Sequence, residues 1–165
     1  MNIELKILDW FQTLHTPVLD KFMTSVTKLG NAGIFWIILT VLFLLIPKMR
    51  KTGVVIAAAL IIDLLLCNVL LKNLVARTRP YDVNTTVELL VAKLRDYSFP
   101  SGHTAASFAS AAALYFAGEK KLWKPALVLA CLIAVSRLYL YVHYPTDVLG
   151  GVVIGIIAGY LGYRL

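Results

Sequence analysis

The chain has 165 residues, 59% of them hydrophobic and 15% charged, and a formal charge of +7. Soluble globular domains hold roughly 45–50% apolar and about 25% charged residues, so this composition excludes that class and points to the bilayer. The basic residues form no stripe of the kind a nucleic-acid-binding domain presents, and nucleic acid is not an expected partner.

At the start, Glu4, Lys6 and Asp9 interrupt the unbroken apolar core that a cleavable signal peptide needs. Ile3, Ile7, Trp10, Phe11 and Leu14 recur at helical spacing, and Val18, Leu19, Phe22, Met23 and Val26 repeat the pattern after Pro17. Two short amphipathic helices follow from this, either lying along the membrane surface or capping a bundle. Five apolar runs come next, at 32–46, 53–71, 104–117, 122–142 and 148–163, each near the ~20 residues that cross the hydrocarbon layer. The predicted fold class is therefore all-α: an integral membrane bundle of about five transmembrane helices plus N-terminal interfacial helices, as one domain over residues 1–165.

Lys48, Arg50 and Lys51 lie in one short connection and Lys120, Lys121 and Lys124 in another. The positive-inside tendency puts both in the cytoplasm. The segment 72–103 and the turn 141–147 then fall on the extracytoplasmic face of the inner or plasma membrane. Cys67 and Cys131 sit inside runs without metal-ligand spacing and read as packing residues. Asp63 and Asn68 within the second run read as helix-packing groups. Gly150, Gly151, Gly155 and Gly159 predict close helix contact, within one chain or between copies in a homo-oligomer.

Three polar stretches gather at run ends on one face. In the first, Lys72 and Arg79 are seven residues apart, which on a continuous helix places both cations on one side. Pro80 ends that helix, and Arg77 reads as a cation snorkelling to the interface. In the second, Ser101, Gly102 and His103 open the third run, where a helix N-terminus offers free N–H groups to an anion. Ser101 alone also reads as a plain N-cap. In the third, Arg137 is expensive at its depth unless paired, and Pro145 breaks the helix so that His143 can fold back towards it. Asp147 then stands in the first turn of the fifth run, in reach of the imidazole. An imidazole oriented by a carboxylate through one nitrogen keeps the other free to attack.

Read together, KxxxxxxRP at residues 72–80, PSGH at 100–103 and SRxxxxxHxxxD at 136–147 resemble the three-part signature of the type 2 phosphatidic acid phosphatase superfamily. The resemblance implies a phosphatase that needs neither metal nor other cofactor and works through a phosphohistidine. On that resemblance His143 is the nucleophile, Asp147 orients it, and His103 protonates the leaving oxygen. Lys72, Arg79, Arg137, Ser101 and Gly102 hold the phosphoryl oxygens. Fixed cations suit phosphoryl transfer because its charge is spread over the equatorial oxygens.

The implied partner is a membrane lipid phosphate, and the layout resembles small bacterial enzymes of the cell envelope that act on undecaprenyl diphosphate. Gly102 keeps phosphatidylglycerophosphate and phosphatidate open as substrates. Tyr81, Phe99, Tyr139, Tyr141 and Tyr144 read as an aromatic belt, and segment 81–99 as a cover over the pocket. Two other classes compete: an anion-binding transporter, which leaves His103, His143 and Asp147 unexplained, and a metal site built on those three residues.

Overall fold

The computed structural model describes residues 3–165; residues 1 and 2 of the expected domain lie outside that range. Among the described residues the secondary structure is helical, without strands. Helices α1 (Ile3–Gln12) and α2 (Pro17–Leu29) match the two amphipathic segments, Pro17 taking the first helical position behind an N-cap at Thr16. The chain then passes through left-handed φ values at Ala32 and Gly33, which Gly33 tolerates without steric penalty. This bend leads into α3 (Ile34–Leu45).

The second run begins as α4 (Arg50–Asp63), loosens into a π-helix over Leu64–Leu71 and closes with one turn, α5 (Lys72–Val75). After a short helix α6 (Pro80–Val83) and a segment without regular structure come α7 (Gly102–Phe116), α8 (Trp123–Tyr139) and α9 (Pro145–Arg164). All five apolar runs are thus helical. By length and composition, two described stretches can cross a membrane, Pro47–Val83 and Pro145–Arg164, and a third if Pro17–Leu29 and Asn31–Leu45 form one span bent by 45°. At 15 and 17 residues, α7 and α8 reach only about 23 and 26 Å against ~30 Å of hydrocarbon. Of the two, α8 stops at Tyr139, short of the end of its apolar run at 122–142, where the chain turns towards Pro145.

The bundle is arranged around α7, whose Ala- and Ser-rich face lies against α4, α8 and α9. Its buried serines return their hydroxyls to the preceding turn, Ser107 to the His103 carbonyl (2.7 Å) and Ser110 to that of Ala106 (2.9 Å). Trp36 Nε1 adds a bond to Ser107 Oγ at 3.0 Å. The glycine stripe of α9 settles the question of its partner: it packs inside this chain. A Cβ at Gly155 would stand 2.4 Å from the Ala105 carbonyl and one at Gly159 2.6 Å from Ala112 Cβ, so only glycine permits this approach. Ile38, Leu42, Leu45, Leu65, Val69 and Val153 face outward instead, as lipid contact requires.

The two basic connections meet at one end, where Thr52 Oγ1 donates to Glu119 Oε1 at 2.7 Å. The N-terminal helices cover the other end. Leu8 is fully buried there, and Gln12 Nε2 donates to the Tyr139 carbonyl at 3.1 Å. Capping is therefore the better description of α1 than floating on the surface. Cys67 is a packing residue as expected, but Cys131 is exposed on the outer face of α8.

The aromatic residues correct the belt reading. Tyr81, Tyr139, Tyr141 and Tyr144 are all buried beneath the N-terminal cap. Three of their hydroxyls have partners: Tyr139 donates to Asp20 (2.5 Å), Tyr141 to Asp9 (2.7 Å) and Tyr81 to the Leu94 carbonyl (2.9 Å). Such bonds are what buried phenols need.

Candidate active site

Helix α5 ends at Val75, four residues before Arg79, with Ala76 in a left-handed conformation. Lys72 and Arg79 therefore do not share a helix face. Arg79 is the extended residue before Pro80, which starts α6, and a reversal of the chain brings the two cations together. Asp96 bridges them: it pairs with Lys72 Nζ and accepts from Arg79 Nη2 at 2.7 Å, while Arg79 Nε donates to the Asp96 carbonyl at 2.8 Å. Burial works to raise the Asp96 pKa, but the hydrogen bonds and charges of Lys72 and Arg79 outweigh it and hold it down at about 2. Both cations are buried and Asp96 is half-exposed.

Helix α8 ends at Tyr139, and the turn that follows puts Tyr141 at φ 59° before Pro145 starts α9. This turn folds His143 back, as the proline suggested. His143 is 1% exposed. Its Nε2 lies 3.4 Å from Arg79 Nη1 and its Nδ1 3.6 Å from Asp147 Oδ2. The guanidinium can only donate, so Nε2 presents a lone pair and Nδ1 carries its hydrogen towards Asp147. Desolvation pushes the His143 pKa down to about 3, opposed by the Asp147 carboxylate and helped by Arg137 and Arg79; at 3.6 Å from Asp147, Nδ1 has no hydrogen-bond partner. The imidazole is therefore neutral at physiological pH, the form a nucleophile needs.

Asp147 is fully buried, as the third residue of α9. Its Oδ2 accepts from Ser98 Oγ at 2.5 Å and from the Tyr144 amide at 2.9 Å, and its Oδ1 accepts from Arg77 Nη1 at 2.6 Å. Arg77 is thus no snorkelling cation. It also donates to Thr146 Oγ1 (2.7 Å) and Glu4 Oε2 (2.6 Å), and its guanidinium stacks 3.9 Å over the Tyr144 ring. Burial acts to raise the Glu4 pKa, yet bonds from Thr146 and Arg77 leave it below the usual carboxylate range.

Arg137, 2% exposed, donates to Thr27 Oγ1 at the end of α2, and its Nε is buried without a partner. His103 Nε2 lies 2.9 Å from Asn31 Oδ1. Ser101 stands at the N-cap of α7 but makes no side-chain cap; its hydroxyl pairs with Thr104 Oγ1 at 2.9 Å. A Cβ on Gly102 would lie 2.9 Å from Asn68 Oδ1, so its bare backbone serves that approach.

Lys72, Asp96, Asn68, Gly102 and His103 line the polar end of a cavity of about 610 Å³. Ile37, Leu60, Ile61 and Leu64 line its apolar walls, and Asp63, 2% exposed, stands among them with Oδ1 unpartnered. Asp63 is therefore a cavity residue as well as a packing one. Among the described residues no three His, Cys, Asp or Glu side chains gather as metal ligands would, so the reading of His103, His143 and Asp147 as a metal centre has no geometric support. Sequence reading missed Asp96, Ser98, Thr27, Asn31 and the role of Arg77. A lone acid, two hydroxyls and an amide outside any motif carry no local signal, whereas Arg77 sat in view between two motif cations.

A PAP2 superfamily profile matches residues 52–165. An undecaprenyl-diphosphatase of Sulfolobus acidocaldarius is 31% identical over 99% of this chain and 78% of its own length. Among solved structures, Aquifex aeolicus LpxE superposes with a TM-score of 0.86 at 27% identity, covering 100% of this chain and 97% of that one. A transmembrane PAP2-type phosphatidylglycerolphosphate phosphatase from Bacillus subtilis gives 0.80 at 27% identity, covering 98% and 83%. Profile, sequence and fold agree: this chain belongs to the PAP2 superfamily and is a multi-pass membrane phosphatase.

Proposed function

We propose that the protein hydrolyses a lipid phosphate by way of a phosphohistidine, with undecaprenyl diphosphate as its substrate. The observation that carries the mechanism is the placement of a neutral His143 Nε2 against Arg79, with Asp147 behind it. Nε2 attacks phosphorus, the bond to the leaving oxygen breaks, and His103 supplies that oxygen with a proton. Water then attacks the phosphohistidine, giving up its proton to His103, and inorganic phosphate departs. Lys72, Arg79 and Arg137, with Ser101 and the Gly102 backbone, take the charge on the equatorial oxygens. A lipid whose phosphate enters this polar end leaves its chain along Ile37, Leu60, Ile61 and Leu64. The site faces the extracytoplasmic side of the inner membrane on this reading, supported by the two basic connections meeting at the far end.

The Sulfolobus relative's name supports the carrier lipid. Asp63 favours a second reading, phosphatidylglycerophosphate or phosphatidate, because a carboxyl in the cavity wall suits a lipid with polar groups below its phosphate better than a bare hydrocarbon. Phosphate release from undecaprenyl diphosphate, phosphatidylglycerophosphate and phosphatidate by the purified protein separates these readings. Acid-labile labelling of the enzyme by substrate carrying radioactive phosphate tests the intermediate. His143→Ala abolishes both label and turnover; near-normal turnover by that variant defeats the mechanism, and the anion-transporter reading then returns.

A further inference from the structure

Asp147 is held from two directions by one residue. The Arg77 side chain donates to Oδ1 at 2.6 Å. The Arg77 carbonyl accepts the Ser98 amide at 2.8 Å, and Ser98 in turn gives its hydroxyl to Oδ2. Arg77 is itself fixed by α1: Glu4 Oε2 accepts its Nη2, while Glu4 Oε1 accepts both the amide (3.1 Å) and the hydroxyl (2.6 Å) of Thr146, next to Asp147 in the chain. The Tyr144 ring closes the remaining side of the guanidinium. Glu4 and Arg77 side chains are 15% and 25% exposed, so this is a largely desolvated charge chain running from Glu4 through Arg77 to Asp147, one step from the imidazole.

We propose that Arg77 is a positioning residue for Asp147, and that Glu4 anchors it, so that the N-terminal helix completes the active site from outside the three signature stretches. The inference rests on the proposed His143 mechanism. Asp147 Oδ2 and His143 Nδ1 are 3.6 Å apart, and the carboxylate must close this gap by a few tenths of an ångström as positive charge develops on the ring. With Oδ1 fixed by Arg77 the carboxylate has one orientation from which to do so. Without it Ser98 and the Tyr144 amide still hold Oδ2, but Oδ1 loses the Arg77 bond and the plane of the carboxylate is no longer fixed at both oxygens.

The test uses full-length protein in detergent micelles with undecaprenyl diphosphate and phosphatidate as probes, following kcat and KM separately. Arg77→Met lowers kcat by about 10- to 100-fold with KM changed less than about threefold, the signature of lost orientation at an intact binding site. Arg77→Lys, which keeps a cation on Oδ1, recovers at least part of that loss. Glu4→Gln, a milder change that leaves Arg77 in place, lowers kcat about threefold to tenfold, whereas Lys6→Gln on the exposed face of α1 leaves kcat unaltered.

A merely structural Arg77 is distinguished by the cycle with Asp147→Asn. If Arg77 acts through Asp147, Arg77→Met has little further effect in the Asp147→Asn background. Multiplicative losses overturn the proposal, as does normal kcat for Arg77→Met or for Glu4→Gln. Should Arg77→Met fail to fold, Glu4→Gln and its own cycle with Asp147→Asn decide the matter. Turnover surviving in His143→Ala defeats the underlying mechanism instead, so the two failures are told apart.

Discussion

Replacing Asp96 by Asn asks whether the carboxylate lying on Lys72 and Arg79 competes with the phosphoryl group. Its pKa is held at about 2 by those two cations, so it is ionised at every working pH, and on the proposed function an incoming phosphate displaces it. Two charge-assisted hydrogen bonds are each worth ~1.5–3 kcal/mol when buried. Asp96 is 50% exposed, and solvent screening reduces each to roughly 0.5–1 kcal/mol. The amide keeps part of this, leaving a competition of about 1 kcal/mol, or roughly fivefold in affinity. Asp96→Asn should therefore lower the competitive inhibition constant of inorganic phosphate about fivefold, and the KM of the lipid substrate in the same direction, at pH 7. The assay is initial-rate phosphate release with inorganic phosphate as inhibitor. An unchanged or raised inhibition constant refutes the reasoning, because it would mean that Asp96 aligns the cations for phosphate rather than taking its place.

Gly155→Ala places a Cβ 2.4 Å from the Ala105 carbonyl and should cost about 1–3 kcal/mol by forcing α9 off α7, read as a lowered thermal midpoint in detergent; an unshifted midpoint contradicts the packing argument. Thr27→Val removes the hydroxyl that receives Arg137 and leaves a buried donor unpaired, a penalty of ~1–3 kcal/mol. It should raise KM several-fold, measured on the same lipid, whereas an unchanged KM detaches α2 from the site. His143 has a folded pKa pushed down to about 3, by burial first, against ~6.5 unfolded. Below pH ~6.5 the unfolded chain takes up a proton that the folded site refuses, so stability falls as pH drops from there towards 3. His143→Asn should flatten the fall in thermal midpoint between pH 6.5 and 4.5; parallel curves would refute the shift.

The helices were legible because lipid demands unbroken apolar runs, and each of the five runs is helical in the structure. Their lengths were less so. Hydropathy marks where a helix lies in hydrocarbon, but α8 stops at Tyr139 although its apolar run continues to 142, because the chain turns there towards Pro145. The proline rule correctly placed the break before α9 and misjudged the one at Arg79: the chain leaves the helix at Ala76, and Pro80 begins a new one. The tyrosines were misplaced for a related reason. Nothing local says that Asp9 and Asp20 will fold over Tyr141 and Tyr139 to receive their hydroxyls, yet those acids decide whether the rings face lipid or core.

Among the candidate site residues, spacing within a motif exposed the cations and imidazoles that the resemblance assigns to a phosphoryl group, since that chemistry needs several such groups at once. It did not expose what holds them. Asp96, Thr27 and Asn31 reach Lys72, Arg137 and His103 from 24, 110 and 72 residues away, and each is a common polar residue with no spacing of its own. Arg77 shows where a physical reading could have gone further. Seen as one of three cations near a membrane surface, it invites the snorkelling assignment; set against the buried charge of Asp147, it does not. A carboxylate desolvated to 0% exposure needs a cation or several donors, and the resemblance already assigned Lys72, Arg79 and Arg137 to the phosphate. Asking which remaining cation could serve Asp147 leaves Arg77 as the one within the signature stretches, and the structure puts it there.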